Sequence, residues 1–119
     1  MAVGKPQRGE VWSVDLDPTV GSEIQKVRPA VVVNAHVLDL LPVRIVVPLT
    51  SWQPRFKGRT NVVFLRATAQ NGLDRDSAAD VIQVRCVSVD RFRAKKGVVE
   101  AEALEEIVAG IVVAVDYQP

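Results

Sequence analysis

The chain has 119 residues, a length that fits one domain, and its 15 basic and 14 acidic side chains leave a net charge of +1. No run of about 18 apolar residues occurs, which excludes a membrane-spanning helix, and the N-terminal segment lacks the apolar core of a signal peptide. A single cysteine excludes an internal disulfide. We therefore expect one small domain over residues 1–119 that works in the cytoplasm.

The charges are distributed unevenly along the chain. Residues 51–96 carry ten basic and four acidic side chains, a local net charge of +6, whereas residues 97–119 carry five acidic side chains and no basic one. A local basic field attracts polyanions even when the whole molecule is nearly neutral. Ordinary solvated strand faces and an acidic helix surface explain the same pattern, so charge alone assigns no partner.

Four strands are predicted in the first half of the chain. Residues 10–15 alternate polar and apolar, which is typical of a half-buried strand, and Pro18 and Gly21 end it and open a loop. Residues 29–35 form a nearly continuous β-branched run, which predicts a strand covered on both faces. The two remaining strands are residues 43–49, after the break at Leu41-Pro42, and residues 61–65.

The second half predicts a turn, more strand and a helix. Asn71-Gly72 is a strong turn signal, and from Ala79 the valines alternate with polar neighbours as in a strand. Lys95-Lys96-Gly97 predicts a hairpin-like turn. The last segment has apolar residues at helical spacing, which predicts one apolar helix face: Leu104, Ile107, Val108, Ile111, Val112 and Val115.

Short strands without intervening helices exclude a doubly wound parallel sheet. Turns every 8 to 12 residues, followed by one C-terminal helix, instead favour a mainly β fold with a small curled sheet or barrel. The acidic residues near the start of the predicted helix suit the positive end of its dipole.

Metal and thiol catalysis find little support in the residue types. With one histidine and one cysteine the chain has no soft-ligand cluster, so we expect neither a metal site nor a cofactor. His36 is expected to be a structural or surface group, and Cys86 to lie in the core of an alternating strand. Three aspartates near the predicted turn have the spacing that a polar turn gives by default: Asp74, Asp76 and Asp80.

Arg28 is the residue best placed for chemistry. It begins a predicted buried strand after a turn-rich loop, and Pro29 holds its backbone extended, which fixes its direction. A guanidinium binds phosphate oxygens bidentately, and Thr50 and Ser51 follow another predicted strand, although such residues also end strands for local reasons. RNA cleavage requires little more, because the 2′-hydroxyl is itself the nucleophile and the protein must only align it and stabilise the phosphate charge.

These segments resemble the signature of the MazF/PemK (Kid) toxins, and the resemblance extends over most of the chain, from about residue 8 to residue 115. It implies a small SH3-like barrel of the CcdB/MazF type with a C-terminal helix, forming a homodimer. The matching segments are Asp17-Pro18-Thr19-x-Gly21-Ser22-Glu23, Arg28-Pro29-Ala30-Val31-Val32-Val33, Pro48-Leu49-Thr50-Ser51, Gly72-Leu73, Asp76-Ser77-x-Ala79-Asp80 and Gln83-Val84-Arg85-x-Val87-Ser88.

The resemblance also implies an activity. Members of the family are metal-independent, sequence-specific endoribonucleases of toxin–antitoxin pairs. They cleave single-stranded RNA, commonly messenger RNA, and a MazE-like antitoxin holds them inactive. By the same resemblance the products are a 2′,3′-cyclic phosphate and a 5′-hydroxyl. The residues that the motifs assign are Arg28 and Thr50 as catalytic, and Glu23, Ser51 and Gln83 as substrate-binding. Lys57 is predicted to bind substrate as well, as part of the basic loop at residues 55–59.

The sequence leaves alternatives for the roles of Arg28, Glu23 and Gln83 and for the function of the protein. Arg28 either moves a proton or only stabilises charge, and arginine pKa values above about 12 favour the second role. Glu23 either orients Arg28, assists with a proton or is an exposed loop carboxylate, and Gln83 either reads a base edge or caps a buried polar contact. A CcdB-like toxin that binds gyrase without cutting RNA is the alternative function, followed by an inactive module that only binds nucleic acid.

Overall fold

Within residues 5–119, the part of the chain that the computed structural model describes, strands form most of the regular structure and one α-helix follows them. The N-terminal segment in which no signal-peptide pattern was found therefore lies largely outside the described residues. The predicted mainly β class with a C-terminal helix is confirmed. The elements are β1 (Glu10–Asp15), β2 (Val27–Val32), β3 (Val43–Ser51), β4 (Val62–Leu65), β5 (Ser77–Asp80), β6 (Arg85–Ser88), β7 (Phe92–Val98) and α1 (Ala101–Ala114).

The strands pair in the order β4-β5-β3-β2-β1-β7, and every pairing is antiparallel. β3 pairs with three other strands of this sheet. Its residues 46–48 pair with β2, residues 43–46 pair with β6, and residues 49–51 pair with β5. Within the described residues no ladder joins β4 to β7, so the expected barrel is not closed by hydrogen bonds between its end strands.

β2 is buried on both faces, as its β-branched run predicts. Val31 and Val33 belong to one buried cluster, while Ala30 and Val32 belong to a second cluster on the other face. The strand begins at Val27, two residues before the predicted start, and therefore includes Arg28. The arginine is thus anchored by the ladder to β1, where it pairs with Val14.

The apolar face of α1 is only partly buried. Ile107 is completely buried in the first cluster, and Leu104 and Ile111 pack against that cluster. The predicted face continues to Val115, which is 67% exposed. No helix among the described residues is both long and apolar enough to cross a membrane.

The predicted turn at residues 95–97 is wrong, because these residues lie inside β7, where Lys95 and Gly97 pair with β1 on either side of a bulge. Gly97 is needed there for another reason. A Cβ at this position would lie 2.3 Å from the carbonyl oxygen of Gln70, so only glycine lets the turn at Asn71-Gly72 pack against β7.

The predicted burial of Cys86 is also wrong, since the cysteine is exposed. Successive side chains of a strand point to opposite faces, and in β6 it is Val87 that faces the core, at 3% exposure. The strand predicted from Ala79 onward is broken by a 3₁₀ turn at Val81–Gln83, which separates β5 from β6.

Candidate active site

A cavity of about 280 Å³ opens where β2 and β3 separate. Their ladder ends at the pair Ala30–Pro48, after which β3 pairs with β5 instead. Continuing the β2–β3 register by two residues sets Arg28 opposite Thr50 across this fork. The residues that line the cavity are Val27, Arg28, Pro29, Leu49, Thr50, Ser51, Leu73, Asp74, Arg75 and Ser77.

The Arg28 side chain is half-buried, and one nitrogen of its guanidinium is hydrogen-bonded within the protein. Its Nε donates a hydrogen bond to the carbonyl oxygen of Gln25 at 3.1 Å. The two Nη groups donate to no acceptor among residues 5–119, and Arg28 forms no ion pair with a described carboxylate. The guanidinium therefore keeps two parallel donors for an anion such as a phosphate.

Thr50 and Ser51 supply hydroxyls to the same cavity. They pair with Ala78 and Ser77 as the last two residues of β3, so the strand extends two residues beyond its predicted end at residue 49. Neither hydroxyl is hydrogen-bonded to another residue in the range 5–119, whereas the Ser77 hydroxyl donates to the carbonyl oxygen of Arg75 at 2.9 Å. The two β3 hydroxyls thus remain available to a ligand.

Arg75 lines the cavity although the motif comparison did not assign it a role. It follows the turn at Asn71-Gly72 in the segment that leads into β5, and its exposed side chain makes no ion pair with a described residue. Asp74 beside it lies 3.7 Å from Lys96. The only sequence signal was a basic residue between two aspartates after a strong turn.

Glu23 and Gln83 line a separate cavity of about 350 Å³ together with Ile82, Val84 and Arg85. Glu23 accepts a hydrogen bond from the backbone N–H of Val20 at 2.8 Å, within its own loop. The Glu23 carboxylate is therefore hydrogen-bonded to the backbone of its own loop and forms no ion pair with Arg28.

Gln83 fastens the β1–β2 loop, residues 16–26, to the 3₁₀ turn that follows β5. Its Oε1 accepts from the N–H of Ile24 at 3.2 Å, and its Nε2 donates to the carbonyl oxygen of Ser22 at 3.0 Å. Both ends of the amide are thus satisfied by loop backbone. The contact is polar but only partly buried, and the two roles that the sequence left open both stay predictions.

Two arginines hold the beginning of the same loop. Arg85 donates to the carbonyl oxygen of Leu16 at 3.2 Å, and Arg91 donates to the carbonyl oxygens of Asp15 and Asp17. The tip of the loop is free of such contacts, since Val20 is 81% exposed. Together with the bonds from Gln83 to the second half of the loop, these contacts anchor the loop on both sides of its exposed tip, which suits the tip to contact a ligand that enters the cavity beside Arg28.

Lys57 lies outside both cavities, in the exposed loop after the 3₁₀ turn Pro54–Phe56. The structure therefore brings together Arg28, Thr50 and Ser51 and leaves the other three predicted residues elsewhere. Glu23 and Gln83 meet at the β1–β2 loop.

The three aspartates near the turn diverge toward different partners. Asp76 accepts from the N–H of Ala67 at 2.9 Å, and Asp80 accepts from the amide of Asn61 at 3.2 Å. His36 is exposed and lies 3.3 Å from Asp39. Across residues 5–119 no three His, Cys, Asp or Glu side chains gather as a metal site would require.

Comparison with known proteins places the chain in a family. The model of the PemK-like, MazF-like toxins of type II toxin–antitoxin systems matches residues 7–115. The endoribonuclease MazF9 of Mycobacterium tuberculosis is 37% identical over 107 residues, which are 85% of this chain and 88% of that protein. The endoribonuclease EndoA of Bacillus subtilis is 29% identical over 102 residues, 85% of this chain and 86% of EndoA.

Solved structures share the fold. MazF from Deinococcus radiodurans superposes with a TM-score of 0.79 at 20% identity, covering 94% of this chain and 97% of that one. A MazE–MazF complex from the same organism gives 0.71 at 19% identity, covering 95% and 97%. The resemblance indicated by the sequence motifs is confirmed, and the chain belongs to the PemK-like, MazF-like toxin family of type II toxin–antitoxin systems.

Proposed function

We propose that this protein is the toxin of a toxin–antitoxin pair and a metal-independent, sequence-specific endoribonuclease that cleaves single-stranded RNA in the cavity between β2 and β3. The relatives MazF9 and EndoA are named endoribonucleases. The observation that carries the proposal is the convergence, in one cavity, of the Arg28 guanidinium and the Thr50 hydroxyl. Both groups have donors that no described residue occupies.

The proposed reaction uses the RNA's own 2′-hydroxyl. The 2′-oxygen gives its proton to solvent water and attacks the adjacent phosphorus, the bond from phosphorus to the 5′-oxygen breaks, and that oxygen takes up a proton from water. A 2′,3′-cyclic phosphate and a 5′-hydroxyl result. Arg28 donates two hydrogen bonds to the non-bridging oxygens, and Thr50 donates one, so that the charge developing on the phosphate is stabilised.

Arg28 acts in this scheme by its fixed charge and not as a base. A guanidinium stays protonated in proteins, so the group suits electrostatic stabilisation of the transition state better than proton removal. Ser51 adds a second hydroxyl at the edge of the cavity. Glu23, Gln83 and Lys57 contribute to substrate binding through the loops that flank the cavity, Gln83 by holding the β1–β2 loop in place.

Assembly follows the same proposal. The MazF from Deinococcus radiodurans has been solved with MazE, and a mycobacterial endoribonuclease with its cognate antitoxin. We expect a MazE-like antitoxin to cover the cavity of this chain, and two copies of the chain to form a homodimer in the cytoplasm.

The purified protein is expected to cut a mixed-sequence RNA in the presence of EDTA and to leave cyclic-phosphate ends. Cleavage requires no metal in this scheme because the nucleophile belongs to the substrate. Denaturing gels give the cleavage, and mass spectrometry of the fragments identifies the ends. A DNA strand of the same sequence, which lacks the 2′-hydroxyl, serves as the control and should remain intact.

Two results would contradict this proposal. Intact RNA with well-folded protein would favour a toxin that docks on a protein target, as in the CcdB-like alternative. Fragments with 5′-phosphate ends would show that activated water, and not the 2′-hydroxyl, attacks the phosphate.

Gln83→Ala is expected to loosen the β1–β2 loop and to lower kcat/KM for RNA about 5- to 30-fold. Two neutral hydrogen bonds are lost, each worth roughly 1 kcal/mol. Trypsin should cut after the exposed Lys26 faster in this variant than in the wild type. Gln83→Glu keeps the acceptor for Ile24 and should fall between the two, whereas unchanged proteolysis and kinetics would show that Gln83 does not hold the loop.

A further inference from the structure

Three of the six aromatic side chains in the sequence meet beside the cavity, at the start of the basic loop that follows β3. The ring centroids of Trp52 and Phe56 are 5.8 Å apart and those of Trp52 and Phe64 5.0 Å apart, in both cases edge to face. We call this group, Trp52, Phe56 and Phe64, the aromatic platform.

The aromatic platform is not part of the protein core. Phe64 is 47% exposed, and none of the three residues belongs to either buried cluster. The other edge-to-face pair, Trp12 and Phe92, is by contrast 3% and 5% exposed within the second cluster. Internal packing therefore explains the Trp12 pair, whereas in the aromatic platform Phe64 is exposed and Trp52 and Phe56 are partly exposed.

The indole groups of Trp12 and Trp52 differ in whether their N–H is hydrogen-bonded within the protein. The Trp12 N–H donates to Glu10 at 2.9 Å, as expected for a buried indole. The indole N–H of Trp52 donates to no acceptor among residues 5–119. Trp52 thus offers both a ring face and a donor to a ligand.

The sheet register places the aromatic platform on the same face as Thr50. Phe64 pairs with Ala78, and Ala78 pairs with Thr50, so the three side chains form one row across β4, β5 and β3. Two strand spacings amount to roughly 10 Å. The backbone N–H of Trp52 continues the ladder by donating to the carbonyl oxygen of Asp76 at 3.0 Å. Because Trp52 follows Thr50 by two residues in this extended segment, its side chain lies on the same face as Thr50.

Two arginines add positive charge at the rim. The guanidinium carbons of Arg55 and Arg59 lie 5.2 Å and 5.8 Å from the Phe56 ring centroid. Neither side chain forms an ion pair with a described carboxylate. Aromatic faces interleaved with unpaired guanidiniums are the combination with which proteins bind single-stranded nucleic acid.

We propose that the aromatic platform is a base-stacking subsite for a nucleotide of the RNA that flanks the scissile phosphate, with Arg55 and Arg59 contacting the neighbouring phosphates. This inference rests on the proposed RNA cleavage, because it is Thr50 that places the scissile phosphate.

The test uses a mixed-sequence 2′-O-methyl oligonucleotide, which lacks the attacking hydroxyl, and an abasic sugar-phosphate chain of equal length. The methylated strand should quench Trp52 fluorescence and the abasic chain should not, with Trp52→Phe identifying which tryptophan responds. Phe64→Leu and Phe56→Leu should weaken binding of the methylated strand roughly 5- to 150-fold, the range that stacking contributes per base. Thermal melts verify that the variants are folded.

Matched variants separate stacking from general effects. Phe64→Tyr keeps an aromatic face and should restore binding, while Tyr117→Leu makes the same type of change at an exposed aromatic outside the platform and should bind as the wild type. In cleavage assays Phe64→Leu should raise KM with little change in kcat, since a remote subsite binds substrate and transition state equally.

The two proposals fail separately. Wild-type protein that cuts RNA, with Phe64→Leu and Phe56→Leu binding as tightly as wild type or with the abasic chain quenching equally, overturns the stacking subsite and leaves the endoribonuclease assignment intact. Base-dependent quenching by protein that does not cut RNA overturns the assignment and supports the subsite. A platform that serves a protein partner would give the first of these results.

Discussion

Arg28→Ala is expected to lower the rate of RNA cleavage by about 100- to 1000-fold, the cost of removing one preorganised donor from a site that stabilises developing charge. The loss should appear in kcat, because the charge on the phosphate oxygens increases as the transition state forms. Stability should change little, since the side chain is half-buried and makes one hydrogen bond, to Gln25. Single-turnover cleavage and a thermal melt measure the two effects.

Conservative variants at the same cavity show what Arg28 contributes. Arg28→Lys keeps the charge but loses the bidentate geometry, so it should recover only part of the rate. Thr50→Val removes the hydroxyl and keeps the β-branched shape of the strand residue, whereas Thr50→Ser keeps the hydroxyl. If Arg28→Ala and Thr50→Val both cut at the wild-type rate, the reaction takes place elsewhere on the protein.

The parts of the site that could be predicted are those that local sequence determines. The β-branched run after Arg28 predicts a strand buried on both faces, and its alternate residues indeed enter two different clusters. Pro29 directly predicts the extended backbone of Arg28. The motifs then identified Thr50 as its partner through the resemblance, and the register of β2 and β3 explains why the two residues meet.

The parts that could not be predicted depend on contacts between distant segments. The bonds from Gln83 to Ser22 and Ile24 join residues about 60 positions apart, and no pattern around Gln83 announces them. The row from Phe64 to Thr50 exists only because β5 lies between β4 and β3. A window of sequence carries no information on strand order, so both features required the folded chain.

Glycine at residue 97 shows how a local signal misleads. Lys95-Lys96-Gly97 has the composition of a turn, yet the glycine is required by a neighbour, because a Cβ would clash with the Gln70 carbonyl. The turn that packs against β7 also requires glycine, since a Cβ at Gly72 would lie 2.0 Å from the carbonyl oxygen of Lys96. Close contact between two backbones accounts for Gly97, while Gly72 is required both by this contact and by its positive φ of 68° in the turn.

Arg44 is the strongest case of a residue whose sequence context conceals its role. It counts as one more basic side chain in the sequence, but it is 1% exposed. Its Nε donates to the carbonyl oxygen of Pro6 at 2.8 Å, and its Nη1 donates to those of Leu41 and Val43, both at 2.8 Å. Asp39 lies 3.5 Å away and balances its charge. The guanidinium thus ties the N-terminal segment to the loop before β3.

The contacts around Arg44 also change the pKa of Asp39. Desolvation raises the pKa of this carboxyl, but hydrogen bonds from Asn34 and His36 and the charge of Arg44 outweigh it, so the pKa lies below its ordinary value. A carboxyl with a lowered pKa in the folded state stabilises the fold above its unfolded pKa. That contribution is lost as the pH falls through the folded pKa.

Arg44→Met is therefore expected to reduce the free energy of unfolding by about 3–5 kcal/mol, a large share of the roughly 5–15 kcal/mol typical of a domain. Methionine fills much of the volume but removes the donor from three carbonyl oxygens, one in a buried contact and two in partly buried contacts, and leaves Asp39 without its counter-charge. Urea denaturation at neutral pH measures the loss. The variant should also lose less stability than the wild type on acidification, because the Arg44 charge no longer lowers the pKa of Asp39.

Arg93→Met provides the matched control. Arg93 is also paired with an aspartate, Asp15, at 3.1 Å, but its side chain is 50% exposed. Exposed pairs contribute roughly 0–1 kcal/mol, so this variant should unfold near the wild-type urea concentration. Equal destabilisation by the two substitutions would mean that the buried hydrogen bonds of Arg44 contribute no more than a surface ion pair, and the structural role assigned to Arg44 would be wrong.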